Sequence, residues 1–193
     1  MIKIINNDGS INEVEYNEYI HVARHTASHV LAEAVKRLYP EAKLTIGPSI
    51  DEGFYYDFDC QSFDRAALDA IEAEMKKIIK EGRKFDKFEL PRPEAIKFME
   101  EKGESYKVEL INDLPEDAVI SFYRQGDGDD AFVDLCAGPH LMNAKQIKAI
   151  KLISSSGAYW RGSEKNKMLT RVYGTAFAKK EDLNAYLEHL EDI

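Results

Sequence analysis

Two residue pairs of identical spacing carry the chemistry-bearing side chains of this sequence: His25 and His29 near the start, and Cys136 and His140 more than a hundred residues later. On a helix the first pair projects from one face, a turn apart. Neutral imidazole and thiolate are donors that zinc accepts in tetrahedral geometry. The spacing departs from the short CxxC clips of structural zinc fingers, which favours an active site over a fold staple. Chemistry without a metal is equally open. An imidazole can activate or order a water, Asp134 can orient it, and a nearby lysine can stabilise negative charge developing on an oxygen. Cys136 as nucleophile with a histidine base is a further scheme. The acid-base and nucleophilic schemes both point to hydrolysis of an acyl group.

The elements that must position these residues can be read from periodicity. A helix is predicted over 18–39, stopped by Pro40, with Ala27, Val30, Leu31, Ala34, Val35 and Leu38 as its apolar stripe. His25 and His29 fall on the opposite side with Ala32 and Lys36, so the bland alternative for them is solvent exposure. Cys136 ends a strand in DLCAGPH, where Gly138-Pro139 turns the chain and returns His140 toward it. The opening residues read as a hairpin around Asn7-Asp8-Gly9-Ser10, and KLTIGPSIDEGFYYDFD as two strands about a turn. A second amphipathic helix is predicted over 64–81, with Leu68, Ile71, Met75, Ile78 and Ile79 inward and Gly82 as its cap. KFDKFEL reads as a strand, and a short helix over 94–102 has Pro93 in its first turn. From Tyr106 onward YKVELI, AVISFYR, AFVDLC, KAIKLISSS, AYWRG and MLTRVYGTAF all read as β, with a turn at Gly126-Asp127-Gly128-Asp129 and a closing helix over 180–191. Helices and strands segregate. The fold class is therefore α+β, a mainly antiparallel sheet packed against long helices.

At 193 residues with 44% hydrophobic content, the chain has the composition of a folded globular protein. No apolar run approaches the roughly 20 residues of a membrane span, and MIKIINNDGS lacks a signal-peptide core, so a cytoplasmic location is expected. In that compartment Cys60 and Cys136 are expected to be reduced. The formal charge of −9 argues against a polyanionic partner, but the average conceals an asymmetry. Residues 143–180 hold nine bases against one acid, Glu164, leaving that segment at +8 and the remainder at −17. A solvated basic face and a nucleic-acid footprint are both consistent with it. Tyr159 and Trp160 suit either core packing or stacking on a nucleotide.

RHTASHVLAEAVKRLYP, IGPSIDEGFYYDFD, ESYKVELI, DLCAGPH and GAYWRGSEKNKMLTRVYGTAF, in this order, closely resemble the amino-terminal editing region of bacterial threonyl-tRNA synthetases, from about His21 onward. The alanyl-type editing domain and its free-standing homologues are similar mainly in the two pairs. The resemblance implies hydrolysis of mischarged seryl-tRNA(Thr). It implies His25 and Lys107 around the attacking water or the ester, Asp134 and Tyr56 helping to position them, and His29, Cys136 and His140 shaping the pocket. In alanyl-type relatives the quartet His25, His29, Cys136 and His140 would hold zinc; the threonyl branch implies no required metal. The partner implied is the acceptor end of tRNA(Thr), near 143–180, together with a class II synthetase core. That core, with its ATP site, is absent from this sequence, so no aminoacylation is expected of it. The expected division is a short hairpin over 1–16, a truncated or vestigial β-grasp-like segment, and an editing domain over 17–193. The alternatives are a free-standing alanyl-type trans-editing hydrolase and a non-catalytic tRNA-docking or zinc-binding module.

Overall fold

Helix α1, Tyr16–Leu38, is buried on almost every side. Between Val22 and Val35 only His25 keeps appreciable exposure. The helix starts two residues before and ends one residue before the predicted 18–39, and the expected stripe describes one of its faces alone: Ala32, on the opposite side, is fully buried, whereas Leu38 is 40% exposed. A helix enclosed in this way is the centre of the core. The computed structural model describes residues 2–5, 10–126, 131–136 and 139–191; the turns expected at Asn7-Asp8-Gly9-Ser10, Gly126-Asp127-Gly128-Asp129 and Gly138-Pro139 lie wholly or partly outside them.

Along the chain, strands β1 (Ile2–Ile5) and β2 (Ile11–Val14) precede α1 and form the expected antiparallel hairpin. After α1 come β3 (Lys43–Leu44), β4 (Ser49–Ile50) and β5 (Gly53–Asp59), three strands where the sequence pattern gave two. The Gly47-Pro48 interruption splits the first run into two short pieces, each pairing with β5. Helix α2 (Arg65–Glu81) starts one residue later than predicted, capped by Asp64, whose side chain accepts from the Ala67 N–H at 2.8 Å, and ends at the expected cap Gly82 with φ 68°. Strand β6 (Phe85–Leu90) and helix α3 (Arg92–Glu101) follow.

YKVELI is not a strand. It lies in helix α4, Ser105–Asp113. The alternation of Tyr106, Val108 and Leu110 mimics a strand over six residues, but the buried positions are Lys107 and Ile111, four apart and on one helical face. Strands β7 (Ile120–Gln125), β8 (Phe132–Leu135) and β9 (His140–Leu141) come next. The long β10 (Ala149–Tyr159) and β11 (Met168–Phe177) and the helix α5 (Lys180–Glu191) complete the fold. AYWRG is only half strand: Tyr159 ends β10, then Trp160–Gly162 forms a 3-10 turn with Arg161 at φ 56°. That turn separates the two aromatics, burying Trp160 and leaving Tyr159 40% exposed.

Among the described residues all strand pairing is antiparallel. The main sheet runs β10-β11-β5-β3, with β4 also on β5. Its apolar face presents Phe54, Tyr56 and Phe58 from alternate positions of β5, all fully buried. The β6-β7-β8 sheet carries α3 and α4 and shares with them a smaller core of Ala95, Met99, Ile111, Ile120 and Phe122. The third sheet, β2-β1-β9, joins the amino-terminal hairpin to the strand bearing His140, through Ile5↔His140 and Ile4↔Leu141. Cys60 and Cys136 are free thiols, and among the described residues no helix is long and apolar enough to cross a membrane.

Candidate active site

The two predicted pairs, more than a hundred residues apart in sequence, meet. Helix α1 supplies His25 and His29, Cys136 follows β8 directly, and β9 supplies His140. Their donor atoms lie within 4.8 Å of one another. Cys136 Sγ is 3.3 Å from His140 Nε2 and 3.5 Å from His25 Nε2. The His25 and His140 rings stack at 4.4 Å, and His29 meets His140 edge-on at 4.6 Å.

Each histidine has a partner for its Nδ1. His25 faces the Pro139 carbonyl at 3.3 Å, His29 faces Asp134 Oδ2 at 2.9 Å, and His140 faces Thr26 Oγ1 at 3.0 Å. Fixing Nδ1 in this way leaves Nε2 for the interior of the quartet, which is how outer partners orient metal-ligating imidazoles. The three Nε2 atoms and the thiolate suit zinc in both donor type and spacing.

Behind the quartet lies a second cluster centred on Asp134. Its carboxylate, 2% exposed, takes the Tyr56 hydroxyl at 2.7 Å, His29 at 2.9 Å and the Lys107 ammonium at 2.8 Å. Tyr56 comes from the buried face of β5 and Lys107 from the buried face of α4, so three separate elements converge on one anion. Burial alone would raise the Asp134 carboxyl, but the charges of Lys107 and His29 hold it below the usual carboxylate range. Burial and the neighbouring carboxylate push the Tyr56 hydroxyl well above its ordinary range, so it remains a donor. Burial would lower His29, but the negative charges of Cys136 and Asp134 overcome it and carry it up to about 9. Burial holds His140 down at about 3, a neutral ring. The Cys136 thiol, which burial alone would raise, is drawn well below its ordinary value by His140 and His29.

A cleft of about 380 Å³ opens onto this assembly. That is a volume typical of small-ligand sites. Of the seven residues singled out from sequence, His25, His29, Lys107 and Cys136 line it, while Tyr56, Asp134 and His140 stand behind the wall. Ile46, Gly47 and Pro48 also line it, and sequence reasoning gave them no site role, only the end of a strand and the turn after it. Gly47 lies flat on the Tyr56 ring, where any Cβ would overlap the aromatic carbons. Ser28 holds that wall to α1 by sharing its hydroxyl between the Gly47 carbonyl at 2.7 Å and the His25 carbonyl at 2.6 Å. Thr26 was also missed. Its hydroxyl meets His140 and accepts from the Leu141 N–H at 3.1 Å, so α1 fixes β9 by side chain as well as by packing.

The antiparallel α+β frame is that of the editing type of domain in threonyl and alanyl tRNA synthetases. Residues 120–173 match the family described as the threonyl and alanyl tRNA synthetase second additional domain. The chain belongs to that family, on its threonyl side. It is 65% identical over 170 residues to a threonine-tRNA ligase of Clostridium acetobutylicum, a match covering 88% of the chain and 26% of the ligase. It is 62% identical over 192 residues to one from Clostridium perfringens, covering 98% of the chain and 29% of the ligase. A third, from Acetivibrio thermocellus, is 64% identical over 170 residues, covering 88% of the chain and 26% of the ligase. The chain thus spans between a quarter and a third of the length of these relatives.

Proposed function

We propose that this domain hydrolyses the ester of seryl-tRNA(Thr), the product of serine mistakenly joined to the threonine tRNA. The observation that carries this reading is the convergence of Lys107 and His29 on the single buried carboxylate of Asp134, which sets both against a cleft that His25 also lines. A water held at His25 attacks the ester carbonyl carbon, giving up its proton to the imidazole. The Lys107 ammonium faces the oxygen on which negative charge accumulates. The carbonyl then re-forms, the bond to the ribose oxygen breaks, and that oxygen takes the proton. Serine and the deacylated tRNA leave. Asp134 and Tyr56 act through Lys107 and His29, holding a charge and a ring orientation, while Cys136 and His140 shape the floor.

A hydrolytic step of this kind answers a physical limit. One missing methylene-sized group yields about 1–3 kcal/mol of discrimination at a synthetic site, so a second sieve is needed for serine. The quartet also fits zinc, which held by all four donors would close the site, and would act as a Lewis acid on a water only where a coordination position opened. The tRNA acceptor end would approach from the side of residues 143–180, and the domain would work beside a class II ligase core in the cytoplasm.

Incubation with Ser-tRNA(Thr), Thr-tRNA(Thr) and Ser-tRNA(Ala) tests the proposal. Serine release confined to the first is expected. Clearance of Ser-tRNA(Ala) would replace it with an alanyl-type trans-editing hydrolase, and no release from any would leave a tRNA-docking or zinc-binding module.

A further inference from the structure

The positive charge of residues 143–180 is not evenly available in the folded chain. Four of its bases are held by acids: Lys151 by Glu72 at 3.5 Å, Arg161 by Asp113 and Glu109, Lys167 by Asp59 at 3.2 Å, and Arg171 by Asp57 through two bonds of 2.7 and 2.9 Å. Lys145, Lys148, Lys165, Lys179 and Lys180 have no ion pair among the described residues.

Folding gathers three of these unneutralised lysines, Lys145, Lys148 and Lys180, with others from outside the segment. Lys148 and Lys180 meet Lys76 and Lys80 of α2 around a depression of about 330 Å³ floored by Ile150 and Leu183. Lys80 likewise has no ion pair among the described residues, and Lys76 reaches only Glu72 at 3.3 Å. Lys145 lies across Gly82 at the end of α2, and its carbonyl takes the Lys148 ammonium at 3.3 Å, so it borders the same corner. Glu181 and Asp182, in the first turn of α5, do not line the depression. No residue is shared with the hydrolytic cleft.

We infer that this corner holds the sugar-phosphate backbone of the tRNA, outside the cleft that holds its acylated end. The inference rests on the hydrolase reading above and names where the rest of that substrate is gripped. Lysine ammoniums are point charges that neutralise phosphates and release counterions without reading bases. In a chain of net charge −9, four lysines around one depression give a polyanion a local face to approach.

Equilibrium binding of uncharged tRNA(Thr), measured from about 50 to about 200 mM salt, tests it. The double variant Lys148→Gln/Lys180→Gln should bind roughly tenfold more weakly at the low-salt end, with the slope of log affinity against log salt shallower by about 1.8. Lys97→Gln/Lys102→Gln removes the same charge from exposed lysines on and just after α3 and should move the slope by less than half as much. Wild-type affinity and slope in the first variant, or an equal effect from the second, would overturn the assignment. The readout is binding, so a failure of the hydrolase reading registers separately, as absence of serine release by the unaltered chain.

Discussion

His29 Nδ1 lies 2.9 Å from Asp134 Oδ2, an oxygen that also takes the Tyr56 hydroxyl at 2.7 Å. The other carboxylate oxygen faces Lys107 at 2.8 Å. One buried anion therefore fixes the orientation of a ring and the position of a cation, and disturbing it should disturb both.

Asp134→Asn removes the charge and keeps the shape. The Lys107 ammonium, with 3% side-chain exposure, is then buried without a counter-ion. Breaking a buried pair from one side costs about 3–5 kcal/mol, so a large drop in the denaturant midpoint is expected together with loss of serine release. Tyr56→Phe keeps the ring packing and removes one hydrogen bond to a charged group, about 1.5–3 kcal/mol. A stability loss in Asp134→Asn no greater than in Tyr56→Phe would contradict the charge argument.

Under the proposed mechanism Glu104 is expected to position Lys107. It precedes α4, is 4% exposed, accepts from the Leu44 N–H at 2.8 Å and pairs with Lys36 at 3.0 Å. Those bonds clamp the start of α4 to β3 and α1, three residues before Lys107. Glu104→Gln retains an acceptor for Leu44 and should keep most of the activity, whereas Glu104→Ala should lower kcat by on the order of tenfold, about 1.4 kcal/mol. Combined with Lys107→Ala, Glu104→Ala should add nothing further to the kcat loss, because both act through one group. Additive losses would assign Glu104 a different role.

Glu33 sets a pH dependence. Its carboxyl, 2% exposed, faces Arg83 at 2.8 Å and Arg37 at 3.7 Å, yet burial outweighs both cations and raises its pKa to about 7. A carboxyl whose pKa rises on folding favours the folded state while protonated. Its contribution is therefore fully present below about 4.5, declines as pH climbs through about 7, and is flat above. Stability of the wild type relative to Glu33→Gln should fall by about 3 kcal/mol across that window. A parallel pair of stability curves would remove Glu33 as the cause.

The donor quartet predicts uptake of one zinc equivalent, read by elemental analysis after dialysis, with a rise in melting temperature as free zinc exceeds the dissociation constant. Cys136→Ser, nearly isosteric, should lose that uptake while the chain stays folded. Absence of bound zinc in the wild type would leave the quartet only the acid-base role proposed for it.

Much of this arrangement was legible in the sequence, for identifiable reasons. The α2 boundaries carry their own punctuation, Asp64 and Gly82, and α5 was predicted at its observed limits. The quartet was visible because its spacing repeats. Helix α4 was hidden because six residues can satisfy both periods, and only the tertiary burial of Lys107 and Ile111 decides between them. The burial of α1 on all sides was hidden for a related reason: small and polar residues such as Ala32, Thr26 and Ser28 face packed neighbours there, and a hydropathy pattern scores them as a surface. Ser28, Thr26 and Glu104 act through backbone groups distant in sequence, and local patterning carries no trace of such partners.

Because α1 is both the innermost helix and the bearer of His25 and His29, the site should share the lifetime of the whole fold. Amide hydrogens along its middle turns should exchange with solvent only through global opening, unlike those of a lid or loop. No partial unfolding would then detach the histidines while sparing the remainder. Natural variation in rate or selectivity should accordingly concentrate in the Gly47 wall and in α4, the parts of the cleft that can shift without dismantling its centre.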